Sequence, residues 1–212
     1  MLGIQGVVAG ISDEKIDEFV DTPVYGIPCI VAEAIQPVNG RDAYIAYNFE
    51  TDRSKLKMIE NASGQVDYKE RNQIQNVVEG QPLAQKMLPE RGKAGKTITG
   101  RYLEAKNGKD IPLPLGRNVQ VDSDGRTIIA STNGQVMLIN DKIHVEPIHE
   151  VDEVSIKTGN ITFLGTVRVK GNVEDGFSIK ASGNIEVGGA VGRCVLEADG
   201  NIVVNQGIMG RD

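Results

Sequence analysis

Tryptophan is absent from the 212 residues, aromatics make up 4%, and there are only two cysteines and two histidines. Each scarcity excludes something. A platform that stacks the bases of a single strand needs successive aromatic rings, and beside the one basic cluster only Tyr102 could serve. Two cysteines as far apart as Cys29 and Cys194 cannot make a disulfide framework; both are read as reduced, buried thiols of a cytoplasmic protein. His144 and His149 have no cysteine, third histidine or carboxylate set at ligand spacing beside them, so no metal site is predicted. Net positive charge is missing too: the formal charge is -6, which argues against general binding to nucleic acid or anionic membranes. Met1-Leu2-Gly3-Ile4-Gln5-Gly6 opens the chain without a basic segment or an apolar run of signal length. No stretch approaches the length of a membrane-spanning helix, and no membrane insertion is expected.

What is present is glycine, 25 residues of it, in a chain that is 40% hydrophobic and 25% charged. That composition suits a turn-rich β protein with aliphatic cores, long enough for one large or two small domains. The last quarter repeats itself. Ser155–Ile161, Ser178–Ile185 and Val195–Ile202 share a short alternating strand, a Gly-Asn corner and the start of a second strand, with a weaker corner at Gly171-Asn172-Val173. The pattern predicts a β-solenoid with one enlarged coil, the excursion running from Gly171 to Gly176. Stacked on their corners, the coils align Ile161 with Ile185 and Ile202, Phe163 with Val187 and Val204, and Ile156 with Ile179 and Leu196. Thr158, Ala181 and Ala198 form a column of small residues, Lys180 and Glu197 become neighbours, and Thr162 and Glu186 share an outward row. The Gly-Asn corners are expected to need positive φ. The chain stops in mid-stack after Asp212, which reads as the front part of a longer polypeptide with an open last coil that pairs with a second molecule or frays.

Taken in order, Ser12 caps a short helix with Asp13 and Glu14 in its first turn and Ile16, Phe19 and Val20 on one face, ended by Thr22-Pro23. Period-two signals follow from Val24 to Phe49, with breaks at Pro37 and Asn39-Gly40. Lys55–Met58 fits a strand or a helical turn, and Asn61–Gly64 a turn. Val77–Ile148 reads as a meander closing into a small barrel or sandwich, its strongest hairpin signals being Asp124-Gly125 and Asn133-Gly134. His149–Glu153 is an acidic joint before the solenoid. The expected class is therefore mainly β, with an α+β N-terminal part. Residues 1–150 form a β-rich domain with one short helix, divisible at 65/66, and residues 151–212 the first coils of a β-helix.

Four constellations could carry chemistry. Gly92-Lys93-Ala94-Gly95-Lys96-Thr97 resembles a phosphate-binding loop, but Glu90 stands where that pattern needs glycine, and strand-like Ile98-Thr99 follows instead of a helix. A glycine turn with solvated lysines is the simpler reading. Lys86, Arg91, Lys93, Lys96, Arg101, Lys106 and Lys109 form a basic cluster diluted by Glu90, Glu104 and Asp110, read as a solvated face or a docking surface for an acidic partner. Glu174-Asp175 beside Gly176 reads as a loop tip, not a catalytic acid pair, and Gln85-Lys86-Met87 is only half of a biotin-carrier sequence. No catalytic, cofactor-binding or metal-ligating residue is assigned, and no cofactor.

Val66–Asn72, Val78–Ala84, Gly108-Lys109-Asp110 with Gly116–Val119, and Thr158–Ile161 running through Gly171–Phe177 together resemble the flagellar assembly protein A (FapA) family over nearly the whole length. The resemblance implies a cytoplasmic bacterial protein, β-rich at its N-terminus and continuing as a β-helix, associated with flagellar assembly and carrying no catalytic residues in its pattern. The expected function is a non-enzymatic scaffold or adaptor for flagellar assembly or placement. Its expected partners are flagellar or polar-localisation proteins, with self-association through the open end of the β-helix and no nucleic acid. The alternatives are a β-helix enzyme acting on a carbohydrate or acyl substrate, or a small-ligand sensor in the N-terminal domain. Against the enzyme stand the missing catalytic histidine and a solenoid with no six-residue repeat.

Overall fold

In the computed structural model residues 6–52 and 74–209 are described. Their elements are, in chain order, helix α1 (Asp13–Asp21) and strands β1 (Tyr44–Tyr47), β2 (Asn76–Val77), β3 (Pro82–Met87), β4 (Gly95–Lys96), β5 (Tyr102–Leu103), β6 (Val119–Val121), β7 (Thr127–Ala130), β8 (Gly134–Ile139) and β9 (Lys142–Glu146). Then follow β10 (Ile148–Val151), β11 (Ile161–Phe163), β12 (Thr166–Val169), β13 (Ser178–Ala181), β14 (Ile185–Val187), β15 (Val195–Ala198) and β16 (Ile202–Val204). The chain separates into two compact units that do not follow sequence order: Met1–Tyr44 joins Met87–Pro112, and Ile45–Lys86 joins Leu113–Asp212. The expected boundary at 150/151 falls inside the second unit. Lys55–Met58 and Asn61–Gly64 lie outside the described residues.

In the first unit α1 begins where expected, with the Ser12 hydroxyl accepting the Lys15 N–H at 3.4 Å. The alternation from Val24 onward, however, yields single bridges in place of long strands: Ile11 faces Ala32, Ile35 faces Lys96 and Val38 faces Lys93, while β4 pairs with β5. Among this unit's described residues only Ala43 and Gly95 are buried. Its apolar side chains have no core of their own to enter.

Among its described residues the second unit holds two cores. One lies between a sheet ordered β1-β3-β7-β6 and another ordered β2-β8-β9, where inward residues at every second position, Ile128 and Ala130, Ile143 and Val145, are fully buried. The Asp124-Gly125 turn joins β6 to β7 as read, and hydrogen bonds from Thr127 and the following backbone hold the Asp124 carboxyl at a pKa of about 2. The turn at Asn133-Gly134 does something else. β7 and β8 belong to different sheets, so this corner carries the chain across the sandwich. The second hairpin is β8–β9, turning on Asn140 and Asp141, whose φ values of 50 and 57 are those of a two-residue turn matched to strand twist.

The other core is the solenoid, whose coil is shorter and more regular than the corners suggested. β10, β12, β14 and β16 form one parallel sheet, β11, β13 and β15 a second, and Val154, Val173, Val191 and Ile208 bridge along a third side. The inward aliphatic recurs every sixth residue, at Ile161, Val167, Val173, Ile179, Ile185 and Val191, each 2% exposed or less. One residue is then dropped, and Leu196, Ile202 and Ile208 continue the three columns. Three such steps return the chain to the same side, so Ile161 stacks on Ile179 and Val167 on Ile185. The expectations for the first coil are thereby corrected: Ala181 stacks on Phe163 and not on Thr158, and Thr162 lies beside Lys180 and not in a row with Glu186. Ile161 does not share a column with Ile185, nor Phe163 with Val187; Ile156 is 64% exposed, because Ser155–Gly159 is a turn closed by the Gly159 N–H on the Ser155 carbonyl. Gly171–Gly176 is no excursion but the third side, and the expected joint at His149–Glu153 is largely the strand β10. The alignments of Ile185 with Ile202, Val187 with Val204, Ile179 with Leu196 and Ala181 with Ala198 stand.

The corners stack glycine on glycine. Of the Gly-Asn corners only Gly159 has positive φ; at the others glycine is needed for closeness. A Cβ on Gly183 would lie 2.8 Å from the Gly165 carbonyl carbon, and one on Gly189 2.7 Å from that of Gly171. The adjoining asparagines replace ladder bonds the corner cannot make: Asn160, Asn172 and Asn184 accept the N–H groups of Ser178, Ala190 and Asn201 in the next coil at 2.8–2.9 Å. Ile185→Asp should therefore lower stability by about 4 kcal/mol or more, since a lone carboxylate enters a dry column. Glu186→Ala, on the outward side, should leave the midpoint nearly unchanged in the same thermal melt.

Candidate functional site

Outward residues of the solenoid sheet form a ladder of alternating charge. Glu150, Arg168 and Glu186 are successive cross-strand neighbours, with Arg168 Nε 2.8 Å from Glu186 and Lys170 Nζ 2.8 Å from Glu150 and 3.3 Å from Asp152. The hydrogen bond and charge of Lys170 hold the Glu150 carboxyl below its ordinary range, and Glu186 raises the Arg168 guanidinium. On the neighbouring face Lys180 meets Glu197 at 2.9 Å, as expected from the sequence. Asp175 accepts the Arg193 N–H at 2.8 Å and pairs with its guanidinium, so Glu174-Asp175 is a corner whose aspartate ties two coils. These side chains spend their hydrogen bonds on the next coil.

The remaining sequence candidates sit apart. In the glycine turn, the N–H groups of Gly92, Lys93, Lys96 and Thr97 donate to Asn107, Val38, Ile35 and Arg101, so they are directed into the fold and not toward a phosphate. The first-unit members of the basic cluster, from Arg91 to Lys109, are all exposed. Gln85–Met87 lies within β3, where the Lys86 N–H donates to the Arg126 carbonyl. His144 Nδ1 accepts the Arg117 N–H at 3.2 Å. His149 points into the solenoid in register with Val167, its ring centroid 5.5 Å from that of Phe163, and burial pushes its pKa down. Among the described residues no three of His, Cys, Asp and Glu converge as a metal would require, and no helix is long and apolar enough to cross a membrane.

One concave surface went unread in the sequence. Beside α1 the chain from Val24 to Ile30 forms a cleft of about 500 Å³ lined by Val24, Ile27, Pro28 and Ile30, with Lys15, Glu18 and Phe19 contributed by the helix and Thr22 by its C-cap. Cys29 lines it too and is exposed, contrary to the buried thiol expected; Cys194, half-buried in the solenoid, is likewise free, and burial raises its pKa. The available signal was a run of apolar residues broken by Pro23, Gly26 and Pro28, which no strand could bury.

A three-sided parallel stack, joined to a small antiparallel sandwich and preceded by a bridge-rich unit with one helix, defines a β-solenoid protein with a β-rich N-terminal region. Comparison with family models is specific on both parts. Residues 1–141 match the Flagellar Assembly Protein A N-terminal region and residues 147–212 match the Flagellar Assembly Protein A beta solenoid domain. The chain belongs to the Flagellar Assembly Protein A family. No curated protein and no solved structure gives a match.

His149 supplies a pH dependence. Its folded pKa lies below the unfolded value, so the unfolded chain takes up the proton first; this residue costs nothing above about pH 6.5 and erodes stability as the pH falls through the folded pKa. His149→Leu should flatten the drop in melting temperature between pH 7 and 5 relative to the parent, measured by circular dichroism at both pH values.

Proposed function

We propose that this protein is a non-enzymatic cytoplasmic scaffold or adaptor for flagellar assembly or placement that works through contacts with other proteins. The observation that carries the reading is the match of both the N-terminal region and the solenoid to flagellar assembly models. The solenoid's chemistry agrees with a structural role: the ion pairs of Arg168 with Glu186, Lys170 with Glu150, Lys180 with Glu197 and Arg193 with Asp175 run from coil to coil, and His149 packs inward on Phe163. The six-residue step overturns the expected lack of such a repeat as a ground against an acyltransferase, but a periodic core is a packing solution and by itself supplies no base or nucleophile. Its partners are flagellar or polar-localisation proteins.

The test is a chromosomal deletion complemented by the intact gene, with flagella counted by electron microscopy and partners recovered by in-cell crosslinking. The expected result is altered flagellar number or position, restored by complementation, with flagellar or polar proteins crosslinked. Normal flagellation, or turnover of an acyl or polysaccharide substrate by the purified protein, contradicts the reading.

A further inference from the structure

The cleft beside α1 has an occupant that its charges select. Glu14, Asp17, Glu18 and Asp21 stand at i, i+3, i+4 and i+7 and form one acidic face of the helix; Lys15, Glu18, Phe19 and Thr22, the next face round, line the cleft. Glu18 belongs to both, so the acidic face forms the rim of an apolar groove. The helix's single cation, Lys15, is engaged 3.1 Å from Glu33, and none of the five helix carboxylates has an ion pair among the described residues. Carboxylates in the last turn also oppose the helix dipole, and no basic residue there offsets them. Cation is what this site lacks. The apolar side is equally unsatisfied, with Val24 53%, Ile27 66% and Ile30 61% exposed. A groove of this volume takes a few side chains of a linear segment.

We propose that this groove docks a cationic amphipathic segment of a partner protein, its aliphatic anchors seated on Phe19, Val24, Ile27 and Ile30 and its lysines or arginines on the acidic face of α1. The proposal rests on the adaptor reading and names the chemistry of one partner. An anionic membrane surface would be repelled by the same carboxylates.

The test uses the full chain and two synthetic helical peptides of about fourteen residues, one of leucine and lysine with leucine at i, i+3, i+4 and i+7, the other with glutamate for every lysine. Binding is followed by calorimetry at low and high salt, and occupancy by the rate at which a chromogenic disulfide reagent labels Cys29. The lysine peptide should bind with one-to-one stoichiometry, weaken in high salt and slow Cys29 labelling about tenfold, whereas the glutamate peptide should do none of these. Ile27→Asp, at an exposed position that leaves the melting curve unchanged, should abolish both effects, and Glu18→Lys should weaken binding about tenfold. Equal binding of both peptides, unslowed Cys29 labelling, or indifference to Ile27→Asp overturns the proposal. A failure here with a flagellation phenotype intact in the deletion strain removes the groove and leaves the adaptor reading standing. Binding as described, with normal flagellation in that strain, keeps the groove and removes the adaptor.

Discussion

Coil stacking at the parallel-strand spacing of about 4.8 Å is the constraint on which the solenoid depends. Every residue is repeated above and below at that distance, so each position is tuned to its neighbours along the stack. Inward places take β-branched or other aliphatic residues, because a column of Val167, Ile185 and Ile202 buries itself only through its own continuation. Corners take glycine because a Cβ would strike the backbone one coil below, and asparagine because its carboxamide reaches an N–H that the bent ladder leaves open. Outward places take opposite charges in succession, which is how Glu150, Arg168 and Glu186 become a line of ion pairs.

This division of labour explains how much could be read in advance. The Ser12 cap, the Asp124-Gly125 hairpin and the pairing of the last two coils all rest on local chemistry or on adjacent, nearly identical segments. The register of the first coil was misread because Ser155-Ile156-Lys157 resembles Ser178-Ile179-Lys180 so closely. The first of these sequences makes a turn and the second a strand. What separates them is position along the six-residue step: Ile161 and Ile179 fall on it, whereas Ile156 does not. Similarity of motif is weaker than continuity of period. The sheet switch at Asn133-Gly134 escaped for a related reason, since a Gly corner fixes a bend and not the partner of the strand that follows it.

The N-terminal unit poses the opposite case. Its alternating apolar residues look like strands, yet they make single bridges and stay exposed, so the periodicity marks surface and not core. The apolar run broken by Pro23, Gly26 and Pro28 marks residues that no strand can bury, but it does not show the groove they form beside α1. Among the described residues, ion pairs such as Arg168–Glu186 and Asp175–Arg193 run from coil to coil in the solenoid, whereas the carboxylates of α1 have no such partner and Val24, Ile27 and Ile30 beside it stay exposed.

The most direct measurement is a set of interstrand backbone nuclear Overhauser contacts on the intact protein. The eighteen-residue return of the chain predicts contacts between the backbones of Thr162 and Lys180 and between those of Arg168 and Glu186. A contact between the backbones of Thr162 and Glu186 in their place would restore the enlarged first coil and contradict the six-residue step.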